Sequence, residues 1–317
     1  MAQFKDSRPM PNHGIASAVP YERRSRADFQ ETVHADDVRD RAIGDILRET
    51  RRLTDAQVEE ILLYQRKHGI RFGEAAVALK LATSDEVVRA LALQFHYPYA
   101  PEGRVSTHPG LGVAANPFGE QAEMFRELRS QLMQGVLDAS QEAPRRALAV
   151  VSPDRGDGKT FFSANLALAF SQLGGRTLLV DADMRTPRQH LVFGVEGNRG
   201  LSNILAGRSE VNVIHRVEEL PSLFILPVGA VPPNPLELVQ RPAFSLLVHE
   251  LTSKFDYVIV DTPAASHGAD ARVVATKCGA AIAIGRRGRT RMPAMQTLVN
   301  TLTKSPAKLA GVVMHEW

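Results

Sequence analysis

With 317 residues, 44% of them hydrophobic, and a formal net charge of +3, the chain suits about two soluble domains and is too weakly basic to imply nucleic acid as a partner. Its single cysteine, Cys278, excludes an internal disulfide framework and fits a reducing cytosol. The opening MAQFKDSRPMPNHG lacks a signal-peptide core, and no apolar run approaches the roughly 18–20 residues of a spanning helix, so any attachment to a membrane is expected to come through something else.

Residues 1–38 are polar, rich in Arg, Asp and Pro, and aperiodic, which predicts a flexible arm. The next region, 39–100, contains two similar blocks, 43–65 and 72–94, that align with a shift of 29 residues. Gly44 falls on Gly73, Thr54 on Thr83, Val58 on Val87, Leu62 on Leu91 and Gln65 on Gln94. Thr54 and Thr83 each precede an apolar stripe of helical period and are expected N-caps. The spacing predicts a small all-α domain of two tandem helix–turn–helix units. Residues 101–118 have the Pro- and Gly-rich composition of a linker.

From 119 to 317 the pattern alternates. A helix at 119–137 precedes strands at 146–152 and 176–182, separated by a helix at 158–173. Further strands near 222–228, 256–261, 280–285 and 309–314 alternate with helical patterns at 234–254, 268–277 and 292–303. Continuous apolar strands separated by helices predict an α/β fold, a parallel sheet with helices on both faces. Ligands of such sheets bind at the carboxyl ends of the strands.

Three segments end strands there: AVVSPDRGDGKT (149–160), LLVDADMR (178–185) and VIVDTPA (258–264). In the first, Gly156, Asp157, Gly158, Lys159, Thr160 and Phe161 follow a strand and open a helix, the context of a P-loop. Glycines admit backbone N–H groups to phosphate oxygens, and the helix N-terminus adds a favourable dipole. Lys159 would reach the β- and γ-phosphates and Thr160 a magnesium ion. The strict P-loop pattern is broken, because Pro153 stands where its first glycine belongs. In the second segment the period of two places Asp181 and Asp183 on one side of the strand end, where they would repel unless a divalent cation or a transferred proton relieves them. Asp261 ends an apolar strand as a third carboxylate and a candidate metal ligand. Each segment alone has an ordinary reading: a glycine turn, solvated loop aspartates, a strand that happens to end in Asp. Their combination points to ATP and Mg2+.

These segments resemble the Walker A, A′ and B motifs of the bacterial tyrosine kinases. So do RTPRQHLVFGVEGNRGLSNILAG (185–207), LPVGAVPPNPLELV (226–239) and Glu123-x-x-Arg126-x-x-Arg129, which matches the family's oligomerisation helix. The likeness covers about 119–317 and is strongest to the chain-length-determinant tyrosine kinases of exopolysaccharide clusters. It implies a P-loop kinase in which a tyrosine hydroxyl attacks the γ-phosphate of ATP, with Lys159, Asp181 and Asp183 as the catalytic set. Thr160, Asp183 and Asp261 would then surround the metal. It also implies a homo-oligomer through Glu123, Arg126 and Arg129, and a cytoplasmic protein held peripherally at the inner membrane by a chain-length determinant partner. Without the likeness, these three residues read as i,i+3 ion pairing on a solvated face.

The sequence departs from the family twice. Its five tyrosines are Tyr21, Tyr64, Tyr97, Tyr99 and Tyr257, so a tyrosine cluster after the last strand is missing as an acceptor, and Arg155 replaces a common proline before Gly156. The tandem blocks resemble the N-terminal domain of type II secretion ATPases, some relatives of which bind cyclic di-GMP. Arg71-Phe72-Gly73 with Gln94 approaches that pattern, whereas the first block has Ala42 in the arginine's place. Docking or a purely structural role is the other reading. Arg286, Arg287, Arg289 and Arg291 form a basic loop for phosphates, a neighbouring subunit, anionic lipid or solvent. Two other functions stay open: a non-catalytic ATP switch acting on the membrane partner, and a positioning ATPase of the MinD/ParA kind. Asp154 occupies the position of the signature lysine of the latter.

Overall fold

The computed structural model describes residues 42–94, 111–138, 145–208, 212–218 and 220–316. The arm at 1–38, residues 101–110 of the expected linker, and Tyr21, Tyr97 and Tyr99 lie outside the described residues.

Residues 42–94 form α1 (Ile43–Arg51), α2 (Asp55–His68), α3 (Phe72–Ala78) and α4 (Ser84–Gln94). Both expected caps are present. Thr54 Oγ1 accepts from Gln57 N while Gln57 Oε1 accepts from Thr54 N, and Thr83 exchanges the same two bonds with Glu86. Reciprocal capping satisfies amides that the first helical turn leaves without partners. The stripes bury Ile46, Leu47, Leu53, Ile61, Ala75, Ala76 and Ala90 in one core. The two aligned glycines differ in what they permit. A Cβ on Gly73 would lie 2.4 Å from Val87 Cγ1, so α3 meets α4 at a separation that excludes any side chain; on Gly44 it would meet the Phe72 ring at an ordinary 3.4 Å.

The second region comprises α5 (Gly112–Ala115), α6 (Glu120–Gln134), β1 (Ala147–Val151), α7 (Lys159–Ser171) and β2 (Thr177–Asp181). Then come α8 (Gln189–Phe193), α9 (Leu201–Leu205), β3 (His215–Val217), β4 (Leu220–Leu226), α10 (Pro235–Gln240) and α11 (Pro242–Lys254). β5 (Tyr257–Asp261), α12 (Asp270–Cys278), β6 (Gly279–Arg286), α13 (Met292–Thr303) and β7 (Lys308–His315) complete it. The sheet order is β3-β4-β2-β5-β1-β6-β7, with every neighbouring pair parallel except β3 and β4.

β1 shows why the strands read as unbroken apolar runs. Leu148 and Val150 face a core that includes Phe125, Phe162 and Phe170 of α6 and α7. Ala147, Ala149 and Val151 face the opposite core, with Phe244, Val274 and Leu298 of α11, α12 and α13. A strand covered on both sides has no polar face to alternate.

The structure differs from the sequence expectations in three places. The helical pattern at 234–254 is two helices, because Pro242 holds Arg241 at φ −57°, ψ 148° and removes an N–H donor. The part of the linker composition beyond 110 contains α5, whose Val113 is fully buried and donates its N–H to Asn165 Oδ1 on α7. Short β3, α8 and α9 carry too few residues to show a period.

Candidate nucleotide site

The loop between β1 and α7 turns twice through left-handed backbone, at Gly156 (φ 86°) and Gly158 (φ 87°). A Cβ at Gly158 would sit 2.8 Å from the His315 ring, and one at Gly156 would sit 2.5 Å from the Arg289 guanidinium. Both glycines are therefore required by conformation, and Gly158 also by the space beside the His315 ring. The loop opens onto a cavity of about 280 Å3 walled by Gly156, Gly158, Lys159, Thr160, Phe161 and Asp183, together with Arg155, Thr186, Arg188 and His267. The α7 N-terminus meets this cavity, where unpaired amides and the helix dipole favour an anion.

Lys159 is nearly buried, and its Nζ donates to Ser152 Oγ at 3.0 Å. Burial lowers its pKa, while the charges of Asp261, Asp183 and Asp157 oppose that shift. Asp157 turns its side chain away from the cavity. Its carboxylate accepts from Asp154 N at 2.7 Å and from Thr290 Oγ1 at 2.7 Å, so this residue braces the loop.

Asp181 and Asp183 have separate surroundings. Asp181, at the end of β2, is fully buried beside Asp261, its register partner on β5. Its oxygens accept from the N–H groups of Asp183, Arg188 and Gln189 at 3.0–3.1 Å. Asp183 lies beyond the strand on the cavity wall and accepts from Arg185 N, Thr186 N and Thr186 Oγ1. Burial, then the Asp261 charge, raises the pKa of Asp181 well above the carboxylate range. Burial likewise raises Asp261 to about 6, against the opposing pull of Lys159.

This surplus of buried carboxylate fits a divalent cation. Oxygen donors suit Mg2+, which ordinarily takes only one or two protein carboxylates and completes its shell with water and phosphate. Among the described residues no group of three or more His, Cys, Asp or Glu side chains is placed to hold a metal ion by itself. A site that shares its metal with a nucleotide needs none. Thr160, Asp183 and Asp261 are the residues that would hold the ion.

Several participants gave no signal in the sequence. Gln189, Thr290 and His315 act through neighbours distant in the chain. Thr186 and Arg188 lie within the quoted stretch 185–207, whose periodicity says nothing about their side chains. On α6, the Glu123-x-x-Arg126-x-x-Arg129 face is tied to its own subunit. Arg126 pairs with Glu123 and donates to Pro117 O, and Arg129 donates to Ala169 O at the end of α7.

A loop–helix phosphate cradle at the carboxyl ends of a mostly parallel sheet defines a P-loop nucleotide-binding protein. A model of the CobQ/CobB/MinD/ParA nucleotide binding domain family accordingly matches residues 148–316. Within that class the chain belongs to the bacterial tyrosine kinases. It is 32% identical over 172 residues to the tyrosine-protein kinase CpsD of Streptococcus agalactiae, covering 54% of this chain and 75% of that protein. It is 30% identical over 203 residues to the tyrosine-protein kinase wzc of Salmonella typhi, covering 64% of this chain but 28% of the longer relative. The kinase domain of Escherichia coli tyrosine kinase ETK superposes with a TM-score of 0.60 at 31% identity, covering 66% of this chain and 80% of that domain.

Proposed function

We propose that the protein is an ATP- and Mg2+-dependent protein-tyrosine kinase that regulates exopolysaccharide chain length, polymerisation and export. Its partner is a membrane chain-length determinant protein, which holds it at the inner membrane. No helix among the described residues is long and apolar enough to cross a membrane. The observation that carries the reading is the meeting of Lys159, Thr160 and Asp183 at one cavity, with Asp261 directly behind, in a chain of tyrosine-kinase ancestry.

The chemistry follows from what these residues can do. The α7 N-terminus and Lys159 bind the β- and γ-phosphoryl oxygens, and the ammonium swings from Ser152 toward the incoming charge. Thr160, Asp183 and Asp261 would hold Mg2+, which would supply charge neutralisation for the phosphoryl group. The acceptor's phenolic oxygen forms a bond to Pγ as the bond from Pγ to the ADP oxygen breaks, and its proton passes to a carboxylate. Asp183 faces the cavity as the metal-shell residue, and Asp181 behind it is the candidate base. Asp183→Asn and Asp181→Asn tested separately check these roles.

Of the described tyrosines, Tyr64 stacks on His68 and Tyr257 packs against Phe170; in this reading the acceptor is a tyrosine of another protein or one elsewhere in the chain, for instance Tyr21. This is also what favours the second reading, an ATP-dependent switch without phosphotransfer. Purified protein incubated with the partner's cytoplasmic segment and labelled ATP should yield phosphotyrosine that Lys159→Ala abolishes. ATP binding without phosphotyrosine on any component supports the switch. Phosphate release driven by DNA or lipid alone supports a positioning ATPase, a reading that Asp154 already disfavours. Homo-oligomerisation through α6 belongs to the same proposal. Cyclic di-GMP at the tandem helices is a weaker part of it, because Gly73 has a packing role that accounts for it without a ligand.

A further inference from the structure

Gln189 begins α8 and is fully buried. Its amide nitrogen donates to Thr160 O at 3.0 Å and to Asp261 Oδ2 at 2.9 Å, and its backbone N–H donates to Asp181 Oδ2 at 3.0 Å. One residue is thereby bonded to all three strand-end segments of the site. Thr160 O and the Asp261 carboxylate are both acceptors, so the amide must turn its nitrogen toward them. Its Oε1, on the other side, has no hydrogen-bond partner. A buried acceptor is seldom left in that condition; here the orientation is dictated by the two donor bonds.

Asp261 needs that bond. Ser163 Oγ stands 3.5 Å from Asp261 Oδ1, at the outer limit of hydrogen bonding, while Asp181 crowds it from the adjacent strand. Gln189 and the Thr160 side chain are the donors that hold this carboxylate, and Gln189, bonded also to Thr160 O, fixes its plane relative to the first turn of α7.

We propose that Gln189 is a positioning residue for the divalent cation, holding the Asp261 carboxylate in register with Thr160. This rests on the nucleotide–metal reading given above. It predicts a selective defect, because the Gln189 side chain bonds Asp261 and one α7 carbonyl but neither Lys159 nor a loop amide.

The test is equilibrium binding of a fluorescent ADP to the full chain, with and without Mg2+, supported by Mn2+ titration followed by electron paramagnetic resonance. Gln189→Leu, which keeps the volume, should leave metal-free binding within about twofold while cutting the enhancement by metal about tenfold, the scale of other losses behind a metal ligand. Gln189→Glu keeps the shape and sets a carboxylate against Asp261, so its enhancement should fall at least as far. It also decides the matter if the leucine variant fails to fold. Full enhancement in both variants, or an equal loss with and without metal, overturns the inference. Absence of any metal enhancement in the unaltered protein overturns the underlying site reading instead.

Discussion

Thr290 Oγ1 donates to Asp157 Oδ1 at 2.7 Å, bonding the loop after β6 directly to the phosphate loop. Arg289 adds a bond to Arg155 O at 3.2 Å, and His315 Nε2 at the end of β7 lies 2.6 Å from Asp157 O. The phosphate loop is thus held from outside by the ends of two strands, and part of the basic loop has a structural duty. Thr290→Val removes a donor from a buried carboxylate and should cost about 1–3 kcal/mol. Nucleotide affinity should weaken as the loop loosens, and Thr290→Ser should restore both. Denaturant unfolding and ADP titration are the measurements, and a valine variant equal to the parent in both would refute this clip.

Gly158→Ala should be worse for binding than its size suggests. The new methyl would meet the His315 ring at 2.8 Å, in backbone at φ 87°. Strain of this kind costs about 1–3 kcal/mol, and its relief would move the amides that face the phosphates. Expected are a lower melting temperature and loss of detectable nucleotide binding. A crystal structure with an unmoved loop would contradict the argument.

Asp261 sets a pH dependence of definite sign. Burial raises its carboxyl from 3.8 to about 6, so the folded protein without ligand holds the proton more tightly than the unfolded chain does. The group's contribution is fully favourable below 3.8 and is lost as pH rises through about 6. Asp261→Asn should therefore raise the melting temperature in EDTA at pH 7.5, by several degrees on the ordinary scale of about 2–4 °C per kcal/mol, and show little gain at pH 4. Metal–nucleotide binding favours the carboxylate, so near pH 6 it should release a proton. Calorimetry in two buffers of unequal ionisation enthalpy will show a difference there that fades by pH 8; equal enthalpies near pH 6 would exclude the shift.

The strands and the carboxylates at their ends were legible because burial on both faces writes unbroken apolar runs, and because Asp181 and Asp261 stand where two of those runs stop, while Lys159 follows a glycine loop and opens a helix. The helices capped by Thr54 and Thr83 were legible through local hydrogen-bond chemistry. Gln189, Thr290 and His315 were not, since each acts across a contact between distant segments and has no local period. The place of Asp157 in the loop suggests a ligand contact, a role open to its backbone; its side chain braces the loop, one oxygen accepting from the Asp154 amide and the other from Thr290.

The last prediction separates two uses of α6. Arg129 donates to Ala169 O, closing the carboxyl end of α7 within its own subunit, whereas the Glu123 side chain is 72% exposed and Met124 beside it is 42% exposed. Arg129→Ala should lower the melting temperature of the isolated chain, because it strips a partner from the α7 carbonyl that caps the helix under β2 and β5. Glu123→Ala should leave that temperature within about 1 °C, as exposed substitutions usually do. If the exposed part of this face joins copies of the chain, sedimentation will show Glu123→Ala shifted toward the monomer at unchanged stability. Arg129→Ala should change both quantities together. Unchanged assembly in the Glu123 variant would confine the motif to holding α6 onto α7.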